Sequence, residues 1–278
     1  MALSLTASIP VIPIINLNGV SMATLIFLAF LVVVFLASIG FQLLGHHAGR
    51  RWRARGVDGY IEATSAIQTS LFALLGLLIA FSISGGETRL QARRELIVKE
   101  ANAIGTAYLR LDLMPRDAQP ALRELFRRYT ETRIAYFAKM VHFDEARVLR
   151  ARAGELQHEI WTTATAAALN THDTRPALLG LPAINEMIDV TTDRDASLRS
   201  HVPAAMFALL MALAFACAFL AGAEMSKQPR PSTFHVLAFA GTLALTCYVM
   251  INVEFPRLGF GQLGPIDALL AEARHAMS

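Results

Sequence analysis

The sequence has 278 residues, of which 54% are hydrophobic and 17% charged, and its formal net charge is +3. Soluble domains carry about 45–50% apolar and about 25% charged residues, so this balance excludes an ordinary soluble domain. The basic excess is too small and dispersed for a nucleic-acid-binding surface, and Cys217 and Cys247 both fall in apolar runs, which argues against a disulfide framework.

The apolar excess is concentrated in four runs that contain no Asp, Glu, Lys or Arg: 20–44, 63–86, 202–223 and 234–253. Each reaches the roughly 20 residues that a helix needs to cross about 30 Å of hydrocarbon. They read as four spans in two hairpins. Ahead of them, residues 1–19 form an N-terminal segment without a basic residue, unlike the start of a signal peptide. The prolines of "IPVIPI" keep a helix from running back to Met1.

The first hairpin covers 20–86, with "GHHAGRRWRARGVDGYIE" as its connecting loop. In span two, Thr69, Ala73, Gly76, Ala80 and Ser84 fall on one helical face. Small residues let membrane helices approach closely, so this face reads as a packing surface, with a pore lining as the alternative.

Beyond span two comes "ELIVKEANAIGTAYLRLDLMP". On a helix, Glu95, Lys99, Asn102, Thr106 and Arg110 form one narrow polar stripe, and the rest of the circumference is mostly apolar. Glu95 and Lys99 stand in the favourable order for an i, i+4 pair. Pro115 ends the helix. Arg89, Arg93 and Glu100 leave the stripe and project onto the apolar side. Lone buried charges are costly, so these three belong either in salt bridges at the membrane surface or in a charged ring at a pore mouth. Arginines facing an axis would attract anions.

Residues 87–201 are polar, nearly balanced in charge, and show helical rather than strand periodicity. One helix starts near Asp117, a candidate cap, with Pro120 in its first turn. It turns Leu122, Leu125, Phe126, Tyr129 and Phe137 inward. A second is expected over 144–170, weakened at Gly154, and a third over 183–199. On the third, Glu186, Asp189 and Asp193 share a face. A Ca²⁺ site needs six to eight oxygens, so these acids are weak metal candidates and no metal or cofactor is expected. No nucleophile–base arrangement marks an enzyme.

The second hairpin covers 202–254, joined by "EMSKQPRPST", and 255–278 form a C-terminal tail. Asn252 and Glu254 lie at the edge of span four, where Glu254 can pair with an arginine. The positive-inside rule slightly favours loops 45–62 and 224–233 in the cytoplasm, because Arg50, Arg51, Arg53, Arg55, Lys227 and Arg230 lie there. The opposing cluster of Arg89, Arg93, Arg94 and Lys99 makes the preference small.

The fold class is therefore all-α: a four-span integral membrane protein with a helical extramembrane domain between spans two and three. The stretches "LLGLLIAFSISGGETRLQARRELIVKEANAIGTAYLRLDLMP", "LRELFRRY", "LPAINEMIDV" and "EFPRLGFG" resemble the bacterial family called bestrophin-like. The resemblance covers nearly the whole chain. It implies a multi-pass protein of the bacterial inner membrane. By extension to bestrophins, it implies a homo-oligomeric anion channel whose second span lines an apolar neck. Phe72, Ile79 and Phe81 are residues of the right type for that neck, and Arg89, Arg93 and Glu100 for its mouth. The implied partners are the lipid bilayer, further copies of the chain and anions. No acidic calcium clasp is matched. A membrane-anchored sensor or scaffold, whose helical domain binds a partner, is the competing reading.

Overall fold

The computed structural model describes residues 22–56, 58–140, 142–255 and 264–277, and within the described residues every regular element is helical. The segment 1–19 and the stretch 256–263, which holds most of "EFPRLGFG", lie outside the described residues. The long helices are α1 (Met22–Ala54), α2 (Asp58–Arg110), α3 (Gln119–Ala138), α4 (Phe143–Leu169), α5 (Leu181–Ser197), α6 (Ala204–Glu224), α7 (Thr233–Glu254) and α8 (Gly264–His275). Four of them, α1, α2, α6 and α7, are long and apolar enough to cross a membrane.

The fold has an apolar half and a polar half, and α2 runs through both. Its 53 residues make a rod of about 80 Å at 1.5 Å per residue, far longer than a bilayer core is thick. Its first part packs on α6 and α7, and its second part on α5 and α8. The tandem Gly85–Gly86 does not break it. A side chain at Gly86 would press on Val253, so glycine there lets α2 and α7 close up. The rod ends in a 3₁₀ turn, Leu111–Leu113, ahead of Pro115.

In the apolar half, α1 packs along α6 and α7 around Val34, Leu75, Leu210, Ala214, Cys217, Leu243 and Cys247. The α1–α6 contact is made backbone to backbone. A Cβ at Gly45 would collide with the carbonyl of Phe219, and one at Gly222 with that of Gln42. In lipid there is no hydrophobic drive between helices, so close approach through small residues is what holds such a pair. The sequence placed a loop over 45–62. Instead α1 stays helical to Ala54, because Gly45 and Gly49 keep it against α6 and Ser226. A short turn with Gly56 at φ +71° reverses the chain, a backbone region that glycine enters without a steric cost.

In the polar half, α3 and α4 pair, and α5 lies on α2. Ile104, Leu111, Leu122, Phe126, Tyr129, Leu156, Ile160, Ile184 and Met187 form its core. Leu122, Phe126, Tyr129 and Phe137 are buried as their spacing predicts, and Leu125 is partly buried. Asp117 does not cap α3: its N-cap is Ala118, with Pro120 in the first turn, and no side-chain bond is made there. A π-helical turn, Pro176–Gly180, leads into α5.

Candidate functional site

Where the two halves meet, one carboxylate ties three segments together. Glu254, the last residue of α7, receives Nε and Nη2 of Arg89 on its Oε2 at 3.0 and 2.7 Å. Its Oε1 takes the backbone N–H of Val202 at 3.1 Å and lies 3.3 Å from Nδ1 of His201. Arg93 sits beside it, 5% exposed. Its Nη1 donates to the Glu254 carbonyl at 2.6 Å and its Nη2 to the Ser200 carbonyl at 2.9 Å. A guanidinium placed on carbonyls at the ends of α5 and α7 satisfies acceptors that the helices leave open, and it meets the negative end of each dipole. An apolar cavity of about 440 Å³ adjoins this clamp, walled by Phe27, Phe30, Phe207, Leu210 and Met250.

Three residues after the next turn of α2, Glu100 is fully buried. Arg133 of α3 donates Nε to its Oε1 at 2.6 Å, and Arg194 of α5 donates Nη1 to its Oε2. Arg133 also reaches Asp195 at 3.4 Å, and Asp195 takes Nε of Arg150 at 2.6 Å. The guanidiniums of Arg133 and Arg194 lie over the ring of Phe137, a cation–π arrangement that strengthens when desolvated. Burial alone would push the Arg133 guanidinium down, but Glu100, Tyr129 and Asp195 together hold it above the usual arginine range. Burial pushes the neighbouring Tyr129 phenol up to about 12, against the opposing charge of Arg133.

Arg89, Arg93 and Glu100 thus each have their partners within the chain. These are the contacts that the salt-bridge alternative expects, and all three residues face the side of α2 that packs on α5 and α7. Of the neck candidates, Phe72 and Ile79 are partly buried against the apolar core, with Phe72 edge-on to Phe239 at 5.9 Å. Phe81 is 63% exposed.

The opposite side of α2 is exposed to solvent along most of the described residues from 67 to 106. Thr69, Ala73, Gly76, Ala80 and Ser84 are exposed, and so are Thr88, Gln91, Glu95, Asn102 and Thr106. The small-residue face and the polar stripe are therefore one continuous line. Lys99 contacts Glu186 at 3.4 Å, and Arg110 donates to the Leu179 carbonyl at 2.9 Å. Beside this line stand Leu74 and Leu77, both exposed, on the same side as Phe81. The sequence reading passed over these two leucines, although their i, i+3, i+7 spacing with Phe81 was visible. Nothing in one apolar run says which leucines its neighbours leave bare.

The weak metal candidates do not converge. Glu186 is taken by Lys99, Asp189 accepts from Asn185 at 2.8 Å, and no group of three or more His, Cys, Asp or Glu side chains is placed to hold a metal among the described residues. At the other end of the apolar half, Arg50 bonds the Pro229 carbonyl and Arg53 the Ser226 hydroxyl, each at 3.2 Å. The two basic connections therefore lie side by side at one end.

A family model described as a Bestrophin-like domain matches residues 31–265. Solved structures with the same fold include three crystal structures of point variants of a bacterial bestrophin homolog from Klebsiella pneumoniae. They share 15%, 15% and 16% sequence identity with this chain, at TM-scores of 0.61, 0.60 and 0.61. The likeness covers 89%, 90% and 89% of this chain and 97%, 96% and 98% of theirs. No curated protein matches the sequence.

Proposed function

The chain belongs to the bestrophin-like family, and from that premise we propose that it is the protomer of a homo-oligomeric ion channel in the bacterial inner membrane, with α2 as the wall of the conducting path and anions as the permeant ions. On this reading α1, α2, α6 and α7 span the bilayer, and α3 to α5 stand outside it. The supporting observation is the bare face of α2. Only 6% of its apolar window is buried, against 22–28% in the other three. In a lone protomer lipid would cover Leu74 and Phe81, and water the polar stripe that continues the same face beyond the apolar run. Copies of α2 around a water-filled axis put both on one continuous lining. Leu74, Leu77 and Phe81 then supply the apolar constriction, a role that dewetting makes effective as a gate. No catalytic role is proposed.

One observation favours a second reading of the permeant ion. The anion expectation leaned on Arg89 and Arg93, which the clamp occupies. Glu87 and Glu95 remain exposed on the bare face, and rings of carboxylates attract cations. The test is the reversal potential of the purified, reconstituted protein under a KCl gradient. Anion selectivity supports the first reading. Cation selectivity that falls in the Glu87→Gln, Glu95→Gln double variant supports the second. A protein that conducts nothing overturns both and leaves the sensor or scaffold.

A further inference from the structure

In the polar half, a cavity of about 640 Å³ opens between α3, α4 and α5. Arg133, Arg147, Arg150 and Arg199 line it, and Asp195 is the one acid among its lining residues. Gln157, Thr191 and Thr192 add uncharged polar groups. The volume is that of a site for a small organic ligand. Arg133 is already tied to the buried Glu100, so the excess positive charge is that of Arg147, Arg150 and Arg199 against Asp195, and it favours an anionic ligand, because planar arginine forks match carboxylate and phosphate oxygens two bonds at a time.

Arg147 and Arg150 are exposed and only partly occupied by the chain itself. Arg150 spends Nε on Asp195. Arg133, its side chain 1% exposed, spends Nε on Glu100 and Nη1 on Asp195, so it lies beneath the cavity and adds charge rather than contact. Arg147 has only a 3.6 Å contact with the exposed Asp144. Gly154 gives an independent sign. It lies in the interior of α4, where glycine is a poor helix former. A Cβ there would meet nothing within 4 Å. Packing within the chain therefore does not require glycine at this position, yet the position lines the cavity.

We propose that this cavity binds a small anion carrying at least two negative groups, of the polycarboxylate or phosphate class. Arg147, Arg150 and Arg199 supply the exposed charges, Arg133 adds its field from beneath, and the exposed Gly154 leaves the α4 wall open. The site also touches α2, because Arg133 holds Glu100 with the same guanidinium that meets Asp195.

The test is binding to the full-length protein in detergent, followed by calorimetry at matched ionic strength. The probes are citrate, pyrophosphate and acetate. Saturable binding of citrate or pyrophosphate, with acetate inert, is the expected result, and which of the two binds identifies the class. The Arg147→Ala, Arg199→Ala double variant removes exposed side chains and should weaken binding about 10-fold or more, on the strength of charge-assisted bonds. Gly154→Leu puts a bulky side chain on the cavity wall, on a helix that tolerates leucine better than glycine, and should abolish binding with the fold retained by circular dichroism. Overturning results are no binding of either polyvalent anion, or wild-type affinity in both variants.

Discussion

Glu100 shows how a single residue is held and what it costs to disturb it. Its carboxylate lies out of reach of water, between Arg133 and Arg194. A buried pair of this kind gives little net stability compared with apolar packing, but removing one partner leaves the other charged and desolvated. Glu100→Gln keeps the shape and removes the charge that compensates two guanidiniums. We expect it to lower the unfolding free energy of the polar half by about 3–5 kcal/mol, measured by thermal or denaturant unfolding in detergent. A loss under about 1 kcal/mol, the range of an exposed pair, would mean that the carboxylate is not the keystone of this network. The sequence showed that Arg89, Arg93 and Glu100 leave the polar stripe and must be paired. It could not show with whom, because Arg133 and Arg194 are 33 and 94 positions away from Glu100, and Glu254 is 165 from Arg89. Periodicity orders the residues of one helix and is silent on which helix comes to meet it.

At the scale of the element, the apolar runs marked the four long apolar helices, but not how far α1 continues. Charge enters at His46 and Arg50, which reads as the end of a span. The backbone instead follows α6, because Gly45, Gly49 and Gly222 allow carbonyl-level contact. Gly222→Val places a branched side chain against the backbone of Gln42, where no flexible side chain can yield. Loss of the folded protein during purification, or a fall in melting temperature far larger than that caused by Gly241→Val, is the expected outcome. Gly241 has nothing within 4 Å of an added Cβ and serves as the control. Equal behaviour of the two variants would contradict the close packing of α1 on α6. The helix α2 was legible as two pieces, an apolar run and a striped extension. The second piece reads as an extension of the first beyond the bilayer, and the backbone agrees: α2 is one 53-residue rod that passes through Gly85 and Gly86 unbroken, although sequence rules treat glycines as breakers.

For the whole molecule, one face of α2 is largely exposed among the described residues, and the proposed oligomer covers it. Leu74, Leu77 and Phe81 would then face the axis, while Phe72 and Ile79 face the protomer's own apolar core. Resemblance alone picked Phe72, Ile79 and Phe81 by type and by run; only packing separates the first two from the third. The most direct measurement is cysteine accessibility in the conducting protein. The native Cys217 and Cys247 are both buried and should stay silent. Single Leu77→Cys and Phe72→Cys variants are reconstituted in planar bilayers and exposed to a charged thiol reagent while current is recorded. The account predicts that reagent blocks Leu77→Cys and leaves Phe72→Cys unchanged. Block of Phe72→Cys with no effect at Leu77 would contradict it.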